Sequence, residues 1–430
     1  MKQTFNGGIF QLEKHGTTVK QEIVAGLVGF FTIVYIIAVN SLILSEAGMP
    51  IEGAILATIL TSFVGCVLMG LWANAPILVV PGMGINALFT YTLVQTMNLT
   101  WQEALAVVFV SGVIFTIIAF TSLTRILSEA IPKTLKEAIN VGLGLFLMLI
   151  GLEKGQLVER GTNSIIALGD LSSPIVLATV LTLLIALVLF IRDVKGHFLW
   201  SIFIGTFIAS VFGILPEQQL ESFSIASYLN IFGAMSFAKW SSFPFLVAVF
   251  SVTMVVVFEN IGLISGHTSF LKQNGKYQKA IQANGISVML SGLFGSSPTV
   301  ATVETTASIA AGGKTGLTAV TTGMLFLLSI FFIPYIKMVP DNAISPVLII
   351  IGGLMVQNIR HLDLRDLTEA FPAITIIAMI PFTYSIADGI AIGFILYPLL
   401  KMTMGKAREV STALYIIAGL FLVNYIIQII

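Results

Sequence analysis

Apolar runs recur along almost the whole chain and are separated by short polar or charged segments. A helix needs roughly 20 apolar residues to cross the ~30 Å hydrocarbon core of a bilayer. In the first half, such segments cover residues 22–44, 52–73, 77–96, 103–123, 136–152, 173–191 and 198–214. In the second half, they cover residues 243–265, 279–294, 299–312, 316–338, 343–358, 371–385 and 386–402. The pattern predicts an all-α polytopic membrane protein with seven membrane segments in each half, fourteen in all.

The two groups of segments divide the chain into four regions. We expect a first seven-span repeat over residues 1–215, a polar extracellular linker over 216–242, a second repeat over 243–402, and an additional hydrophobic segment over 403–430. The run 371–402 would be about 48 Å long as one helix, since each residue adds 1.5 Å. That length exceeds one crossing, so the polar string Ser385–Gly389 is expected to separate two short spans.

Basic residues predict the orientation, because cytoplasmic loops carry an excess of Lys and Arg. With a cytoplasmic N-terminus, the segments predicted to lie outside hold few of the 21 basic residues, namely Lys154, Arg160, Lys239 and Lys337. We therefore expect a multi-pass protein of the cell (inner or plasma) membrane. The first twenty residues are polar and lack the short apolar core of a signal peptide, so we expect none.

The two halves share a weak internal similarity. Gly70-Leu71-Trp72 followed by Pro76 has the same spacing as Gly292-Leu293-Phe294 followed by Pro298. Because seven is an odd number, two tandem copies must face opposite ways across the membrane. Inverted repeats of this kind are a recurrent construction of secondary transporters. The alternative is that so short a match arises by chance.

Each of the two prolines is followed by a β-branched segment that is typical of a short strand. Residues 77–80 lead into Pro81-Gly82, and residues 299–303 lead into Glu304. Non-helical backbone at membrane depth is stable only where protein or a water-filled cavity surrounds it. We predict that spans three and ten are broken by short antiparallel strands, each followed by a half-helix whose N-terminus points into a mid-membrane cavity. The alternative is that both prolines only end helices at the surface.

Composition narrows the class of protein further. Hydrophobic residues make up 57% of the chain and charged residues only 10%, whereas soluble domains are about one quarter charged. The 21 basic and 21 acidic residues leave no net charge, which excludes a nucleic acid as the partner. The single cysteine, Cys66, excludes an intramolecular disulfide, and the sequence contains neither a metal-ligand cluster nor a nucleophile–base pair. We therefore expect no metal, no cofactor and no enzymatic activity.

Two carboxylates, Glu259 and Glu304, lie inside otherwise apolar or small-residue spans. A charge near the centre of a membrane helix costs roughly 2.5–3.5 kcal/mol, so such a residue is usually retained for a ligand, an ion or a proton. The alternative is a structural carboxylate that is capped by backbone N–H groups or by Asn260. Glu22, Glu52 and Glu103 fall at span ends and need no function, and Asp388 is expected to mark a turn or cap.

The sign of these groups restricts the ligand. No Lys or Arg lies in the same spans as Glu259 and Glu304, so the site suits a neutral molecule rich in N–H donors, or a cation, better than an anion. Burial favours the protonated form of a carboxyl group, which allows proton exchange near neutral pH. The residues thus predict proton-coupled uptake, with sodium as the alternative coupling ion.

Several longer motifs accompany these carboxylates between residues 20 and 402. They are Ala25-Gly26 with Thr32, Tyr35-Ile36-Ile37, Val39-Asn40, Pro81-Gly82-Met83-Gly84-Ile85-Asn86-Ala87, Gly142-Leu143-Gly144-Leu145-Phe146, Ile150-Gly151-Leu152 and Ala311-Gly312-Gly313-Lys314-Thr315-Gly316-Leu317-Thr318-Ala319. Together they resemble the nucleobase–cation symporter-2 superfamily, most closely its bacterial hypoxanthine/guanine/adenine permease branch. The resemblance implies fourteen spans in two inverted repeats. It also implies a core (22–123 and 243–338), a gate (136–214 and 343–402) and a homodimer formed through the gate.

The resemblance also implies where a base is bound, namely between span eight and the broken spans three and ten. The substrate-binding positions carried over are Glu259, Glu304, Val303, Thr302, Met83, Gly84, Asn86, Thr32 and Tyr35. Glu259 and Glu304 are also the proton-coupling candidates. Two departures concern substrate choice: Glu259-Asn260 stands where purine permeases usually have Asp-Thr, and Thr302 stands where the branch commonly has Tyr.

The resulting functional prediction is a secondary transporter that imports a nucleobase by proton symport with alternating access. The expected substrate is a purine, namely hypoxanthine, guanine or adenine. The string Phe258–Gly262 is nearer the pattern of the xanthine and uracil branches, which keeps a xanthine or uracil permease as the alternative. An anion carrier of the same seven-plus-seven design is a further alternative.

Overall fold

A computed structural model describes residues 9–121, 123–124, 131–161, 164, 166–215 and 228–429. Within these residues, nine helices are long and apolar enough to cross a membrane, and His197–Val211, Leu367–Thr383 and Thr412–Val423 form shorter apolar helices. The chain is therefore a multi-pass helical bundle, as its apolar runs predict. Residues 216–227 of the predicted extracellular linker lie outside the described residues.

The first half contains eight helices and three short strands among the described residues. In chain order they are α1 (Val19–Ile33), α2 (Ile36–Glu46), α3 (Ile51–Trp72), β1 (Val79–Pro81), α4 (Met83–Ala87), α5 (Trp101–Phe120), α6 (Lys133–Lys154), β2 (Val158–Glu159), β3 (Ala167–Leu168), α7 (Pro174–Ile191) and α8 (His197–Val211). The short helix α4 continues as a π-helical segment over Leu88–Thr96, which the sequence pattern did not predict.

The second half contains nine helices and one short strand among the described residues. The elements are α9 (Phe243–Phe270), α10 (Tyr277–Phe294), β4 (Thr299–Ala301), α11 (Thr305–Ala310), α12 (Gly316–Leu328), α13 (Ile333–Ile336), α14 (Asp341–Val356), α15 (Leu367–Thr383), α16 (Ile386–Thr403) and α17 (Thr412–Ile429). The predicted break in the run 371–402 is present, since Tyr384 has a φ of 56° and Ser385 caps α16. Asp388 lies in the first turn of α16, at the predicted turn.

Strands β1 and β4 pair in an antiparallel manner and join the two halves. Val79 pairs with Ala301, and Val80 with Val300. The pairing continues beyond the strands, because the N–H of Thr302 donates to the Leu78 carbonyl oxygen at 3.2 Å. This pairing confirms the two short antiparallel strands that the sequence predicts after Pro76 and Pro298. The alternative, in which Pro76 and Pro298 only end surface helices, is wrong because both prolines are buried.

Contacts between helices define two groups, which we name the core group and the gate group after the regions that the resemblance implies. The core group comprises α1–α5 and α9–α13, in which α10 packs against α3 and α5 while α12 packs against α1 and α3. The gate group comprises α6–α8 and α14–α16, in which α6 packs against α14 and α15 while α14 also contacts α7 and α8. Contacts across the boundary include α4 with α6, and α1 with α8.

Glycines allow helices to approach closely inside the gate group. A methyl group added at Gly144 of α6 would lie 2.7 Å from the Gly352 carbonyl oxygen of α14, and Gly352 faces the Gly144 carbonyl oxygen in return. Contacts of this kind, between small residues, hold helices together in lipid, where apolar side chains gain little from leaving the solvent.

Gly352→Leu is expected to destabilise the protein, because the new side chain has no space between α6 and α14. Overpacking of this kind costs about 1–3 kcal/mol or more. The measurement is the temperature at which the purified protein loses its monodisperse gel-filtration peak. The control is Gly353→Leu, because nothing lies within 4 Å of the Gly353 Cβ position. Equal stability of the two variants would contradict this packing.

Candidate functional site

Two buried asparagines hold the paired strands β1 and β4 at the centre of the core group. Asn260 of α9 accepts the N–H of Ala301 at 2.9 Å and donates to the Val256 carbonyl oxygen at 2.8 Å. Asn40 of α2 accepts the Ser297 hydroxyl at 2.9 Å, just before β4 begins. Both asparagines are fully buried. They satisfy backbone and hydroxyl groups that lipid could not, so the irregular backbone is held in place by protein.

Glu304 lies three residues after the end of β4 and directly precedes α11. Its carboxylate accepts the Tyr35 hydroxyl at 2.5 Å. Tyr35 lies at the junction of α1 and α2, is only 3% exposed, and its ring contacts Phe198 of α8 edge to face at 5.0 Å. The predicted pair of Tyr35 and Glu304 is thus brought together, and Phe198 of the gate group packs against it.

Glu259 lies near the middle of α9 and faces a small cavity at the boundary between the two groups. The cavity is lined by Glu259, Val255 and Phe258 of α9 and by Lys136, Ile139 and Asn140 of α6. The Oε2 atom of Glu259 is buried and has no hydrogen-bond partner. The space that centres of water molecules can occupy is about 30 Å³, which is room for about two waters. A carboxylate oxygen therefore faces a cavity that is too small for a heterocyclic base in this conformation.

The remaining predicted residues differ in what they contact. In α4, the Asn86 amide is buried and donates weakly to the Met83 sulfur at 3.8 Å, while Oδ1 of Asn86 has no partner. Gly84 faces α6, because a methyl group there would lie 3.2 Å from a Leu143 methyl carbon. Helix α4 therefore reaches the boundary with the gate group and offers one unpaired amide oxygen.

Three further predicted residues, Thr302, Val303 and Thr32, do not contact Glu259 or Glu304 through a hydrogen bond of their side chains. The Thr302 carbonyl oxygen lies 2.9 Å from Nε2 of His267, and the Thr302 hydroxyl is buried without a partner. The side chain of Val303 is 65% exposed. The Thr32 hydroxyl donates to the Val28 carbonyl oxygen within α1, so it is already used inside its own helix.

The two glutamates are neighbours in the fold, but they do not share the cavity that Glu259 lines. Asn260, next to Glu259, binds the N–H of Ala301, three residues before Glu304. Among the described residues, no hydrogen bond joins the two carboxylates directly. The two glutamates are therefore linked only indirectly, through the hydrogen bond between Asn260 and the backbone of β4. The Glu304 carboxylate binds Tyr35, whereas Glu259 faces α6.

Lys136 and Asn140 were missed as site residues by the sequence reasoning. Lys136 is the first residue of the predicted span 136–152, yet it lines the Glu259 cavity and its Nζ lies 5.7 Å from the centroid of the Phe258 ring. The available signal was the spacing of two polar residues four apart, which places them on one face of a helix. A polar face on an otherwise apolar span indicates a polar neighbour.

A second polar cluster closes the boundary on the side predicted to be extracellular. Lys154 at the end of α6 forms ion pairs with Glu46 of α2 and with Asp341 of α14, the latter at 2.9 Å. Tyr91 donates to Glu46 at 2.8 Å, and its ring lies 6.0 Å from that of Tyr384. The cluster joins the core group to the gate group at this face.

Reversing the charge at Lys154 is expected to open this face, because Lys154→Glu places three carboxylates together. We expect uptake by Lys154→Glu to fall about tenfold, since a broken, partly buried pair costs at least ~1.4 kcal/mol. The double variant Glu46→Lys with Lys154→Glu should regain much of the rate. Lys337→Met is the control, because Lys337 pairs with Glu52 inside the core group. Failure of the double variant to recover would contradict the role of this pair.

Comparisons with known proteins define the class to which the fold and site belong. Residues 20–392 match the sequence profile of the Permease family, Xan_ur_permease. The chain therefore belongs to this family, the nucleobase–cation symporter-2 superfamily that its motifs resemble, and it is a transporter rather than an enzyme.

Individual relatives show to which branch of this family the chain belongs. The chain is 49% identical to the nucleobase transporter PlAzg2 of Paenibacillus larvae, over 88% of this chain and 77% of the relative. It is 38% identical to the guanine/hypoxanthine permease PbuO of Bacillus subtilis, over 97% of this chain and all of the relative. It is 32% identical to the adenine permease AdeP of Escherichia coli, over 97% of this chain and 95% of the relative. These relatives place the chain in the hypoxanthine/guanine/adenine branch.

Solved structures show a similar fold at low identity. The transmembrane domain of the cyanobacterial bicarbonate transporter BicA aligns with a TM-score of 0.63 at 16% identity, covering 86% of this chain and 96% of that domain. The murine anion transporter Slc26a9 in its inward-facing state aligns with a TM-score of 0.68 at 11% identity, covering 90% of this chain and 68% of that chain. At these identities the likeness concerns the fold alone.

Proposed function

We propose that this chain imports a nucleobase, and specifically a purine, by proton symport with alternating access. The observation that carries the proposal is the buried, unpartnered Glu259 oxygen, which faces a cavity between the core and gate groups. A carboxylate in that position suits the ring N–H groups of a base. The relatives named above are nucleobase, guanine/hypoxanthine and adenine permeases, which supports the same class of substrate.

The division of the site between two groups of helices supports alternating access. Glu259, Glu304 and α4 belong to the core group, whereas the opposite wall of the Glu259 cavity belongs to α6 of the gate group. Because the cavity holds about two waters, a base can enter only if the two groups move apart. We propose that they do so as core and gate, within two inverted repeats of seven spans, in the cell membrane and with a cytoplasmic N-terminus. A homodimer formed through the gate belongs to the same proposal.

The test of substrate class is uptake by a base-auxotrophic strain that expresses this chain. Cells should accumulate labelled hypoxanthine, guanine or adenine, and the unlabelled purine should compete. Preference for xanthine or uracil would instead indicate a xanthine or uracil permease. Competition by sulfate or bicarbonate, without competition by any base, would favour an anion carrier and overturn the proposal.

Uptake should become faster as the external medium is changed from mildly alkaline to mildly acidic. A proton taken from outside must bind a carboxyl group such as Glu259 or Glu304 before inward movement, so a higher external proton concentration fills that site more completely. The measurement is the initial rate of uptake in proteoliposomes with a fixed internal pH. Replacing sodium by choline is the control and should leave the rate unchanged. A flat pH profile with a requirement for sodium would identify sodium as the coupling ion.

A further inference from the structure

We infer that α6 of the gate group supplies the second half of the base-binding site, with Asn140 and Lys136 holding the carbonyl oxygen of an oxo-purine whose N–H groups are held by Glu259. The inference rests on the proposed function, because it names the substrate class and further residues of that site. The oxo-purines include guanine and hypoxanthine, whereas adenine has no carbonyl group.

The geometry brings three polar groups of different chemistry to one cavity. Lys136 and Asn140 are four residues apart, so they lie on the same face of α6, and both line the cavity that contains Glu259. The ammonium group of Lys136 lies 5.7 Å from the centroid of the Phe258 ring, beside Glu259. Cation, amide and carboxylate therefore surround a single space.

Apolar side chains complete the lining. Ile139 comes from α6, and Val255 and Phe258 come from α9. Apolar walls with a few polar groups that converge on one space are typical of sites for small, flat ligands. Phe258 also offers a ring against which an aromatic base can pack.

The polar groups match the edge of an oxo-purine. An ionised carboxylate only accepts hydrogen bonds, a lysine only donates them, and an asparagine side chain offers two N–H donors beside its oxygen. Guanine presents two N–H groups side by side, which suit the two oxygens of one carboxylate, and its carbonyl oxygen lies next to them. Glu259 would therefore hold the N–H groups, while Asn140 and Lys136 donate to the carbonyl oxygen.

Adenine fits the same space less well. It has an amino group where the oxo-purines have the carbonyl, so the two donors from α6 would face another donor. A site built to make a hydrogen bond discriminates strongly against an analogue that cannot make it, because its own buried polar groups are left unpaired. The arrangement thus favours oxo-purines over adenine.

The same arrangement connects binding to movement. Glu259 is carried by the core group, whereas Asn140 and Lys136 are carried by the gate group. A base held from both sides stabilises the conformation in which the two groups meet. An analogue that lacks the carbonyl is held from one side only, so it should both bind and be transported less well.

The experiment is competition for labelled guanine uptake in proteoliposomes by unlabelled guanine, hypoxanthine and adenine. Asn140→Asp replaces the amide donor by an acceptor at nearly constant size, and Lys136→Met removes the ammonium group. We expect each to weaken competition by guanine and hypoxanthine about tenfold or more, while competition by adenine changes less than about threefold. Lys133→Met is the control, because Lys133 is exposed one turn earlier on α6 and should alter nothing.

Membrane abundance is measured for every variant, and Asn140→Ala, which also lacks the donor, replaces Asn140→Asp if that variant is not inserted. Equal weakening for all three bases, or none, would overturn the inference while base uptake by the wild type still supports the proposed function. A wild-type chain that prefers adenine to guanine would also overturn the inference alone. If the wild type takes up no base at all, the proposed function fails as well.

Discussion

Glu259→Gln should reduce uptake by at least about a hundredfold, since two charge-assisted hydrogen bonds to a base are together worth ~3–6 kcal/mol. Glu259 has one buried oxygen without a partner, and that oxygen faces the boundary cavity. The amide of Gln keeps the size of the side chain but replaces one acceptor by a donor, which would face the N–H groups of the base. It also removes a group that can bind and release a proton.

The measurement for Glu259 is the initial uptake rate normalised to the amount of protein in the membrane. Insertion should be unaffected, because an uncharged side chain in the middle of α9 is easier to place in lipid than a carboxylate. Asp363→Asn is the matched control, since it also removes one carboxylate but at an exposed ion pair with Arg365. A normal rate in Glu259→Gln would show that this carboxylate does not hold the substrate.

Glu304→Gln is the second change with a large expected effect. The amide oxygen of Gln can still accept the Tyr35 hydroxyl that Glu304 accepts at 2.5 Å, so the local structure should be preserved. What is lost is the carboxyl group that we propose to carry the coupled proton. We expect uptake to fall about a hundredfold, in line with the strong effects of titratable residues inside membranes, and the remaining uptake to be independent of external pH.

Tyr35→Phe separates the two contributions of this pair. It removes the hydroxyl but leaves the carboxylate in place, so we expect a loss of about tenfold, as for one hydrogen bond to a charged group at ~1.5 kcal/mol. The dependence on external pH should persist in Tyr35→Phe and be absent in Glu304→Gln. If both variants keep the wild-type pH profile, Glu304 is not the coupling carboxylate.

Much of the fold could be predicted from sequence because it depends on local chemistry. Thr100 and Glu103 form a capping box that fixes the start of α5, and Tyr384 and Ser385 end one helix and begin the next. Such signals act over a few residues, so they can be recognised without knowing the fold. The same holds for the β-branched residues that form β1 and β4.

Contacts across the chain could not be predicted in the same way. The pairing of Pro81 with Thr299 depends on how two distant segments are brought together. Glu22 was interpreted as a span-end residue without a function, yet it is buried and accepts the N–H groups of Lys314 and Thr315 at the start of α12. Lys136 is the first residue of the predicted span 136–152, and the cavity that it shares with Glu259 depends on where α6 and α9 lie in the fold.

The shared sheet has a consequence for how the protein folds. Each strand pairs with the strand from the other half, since the N–H of Thr302 binds Leu78 and the N–H of Gly82 binds Pro298. A chain with a single half would leave those groups unpaired in hydrocarbon, which is costly. The first half is therefore expected to complete its folding only after the second half has been inserted.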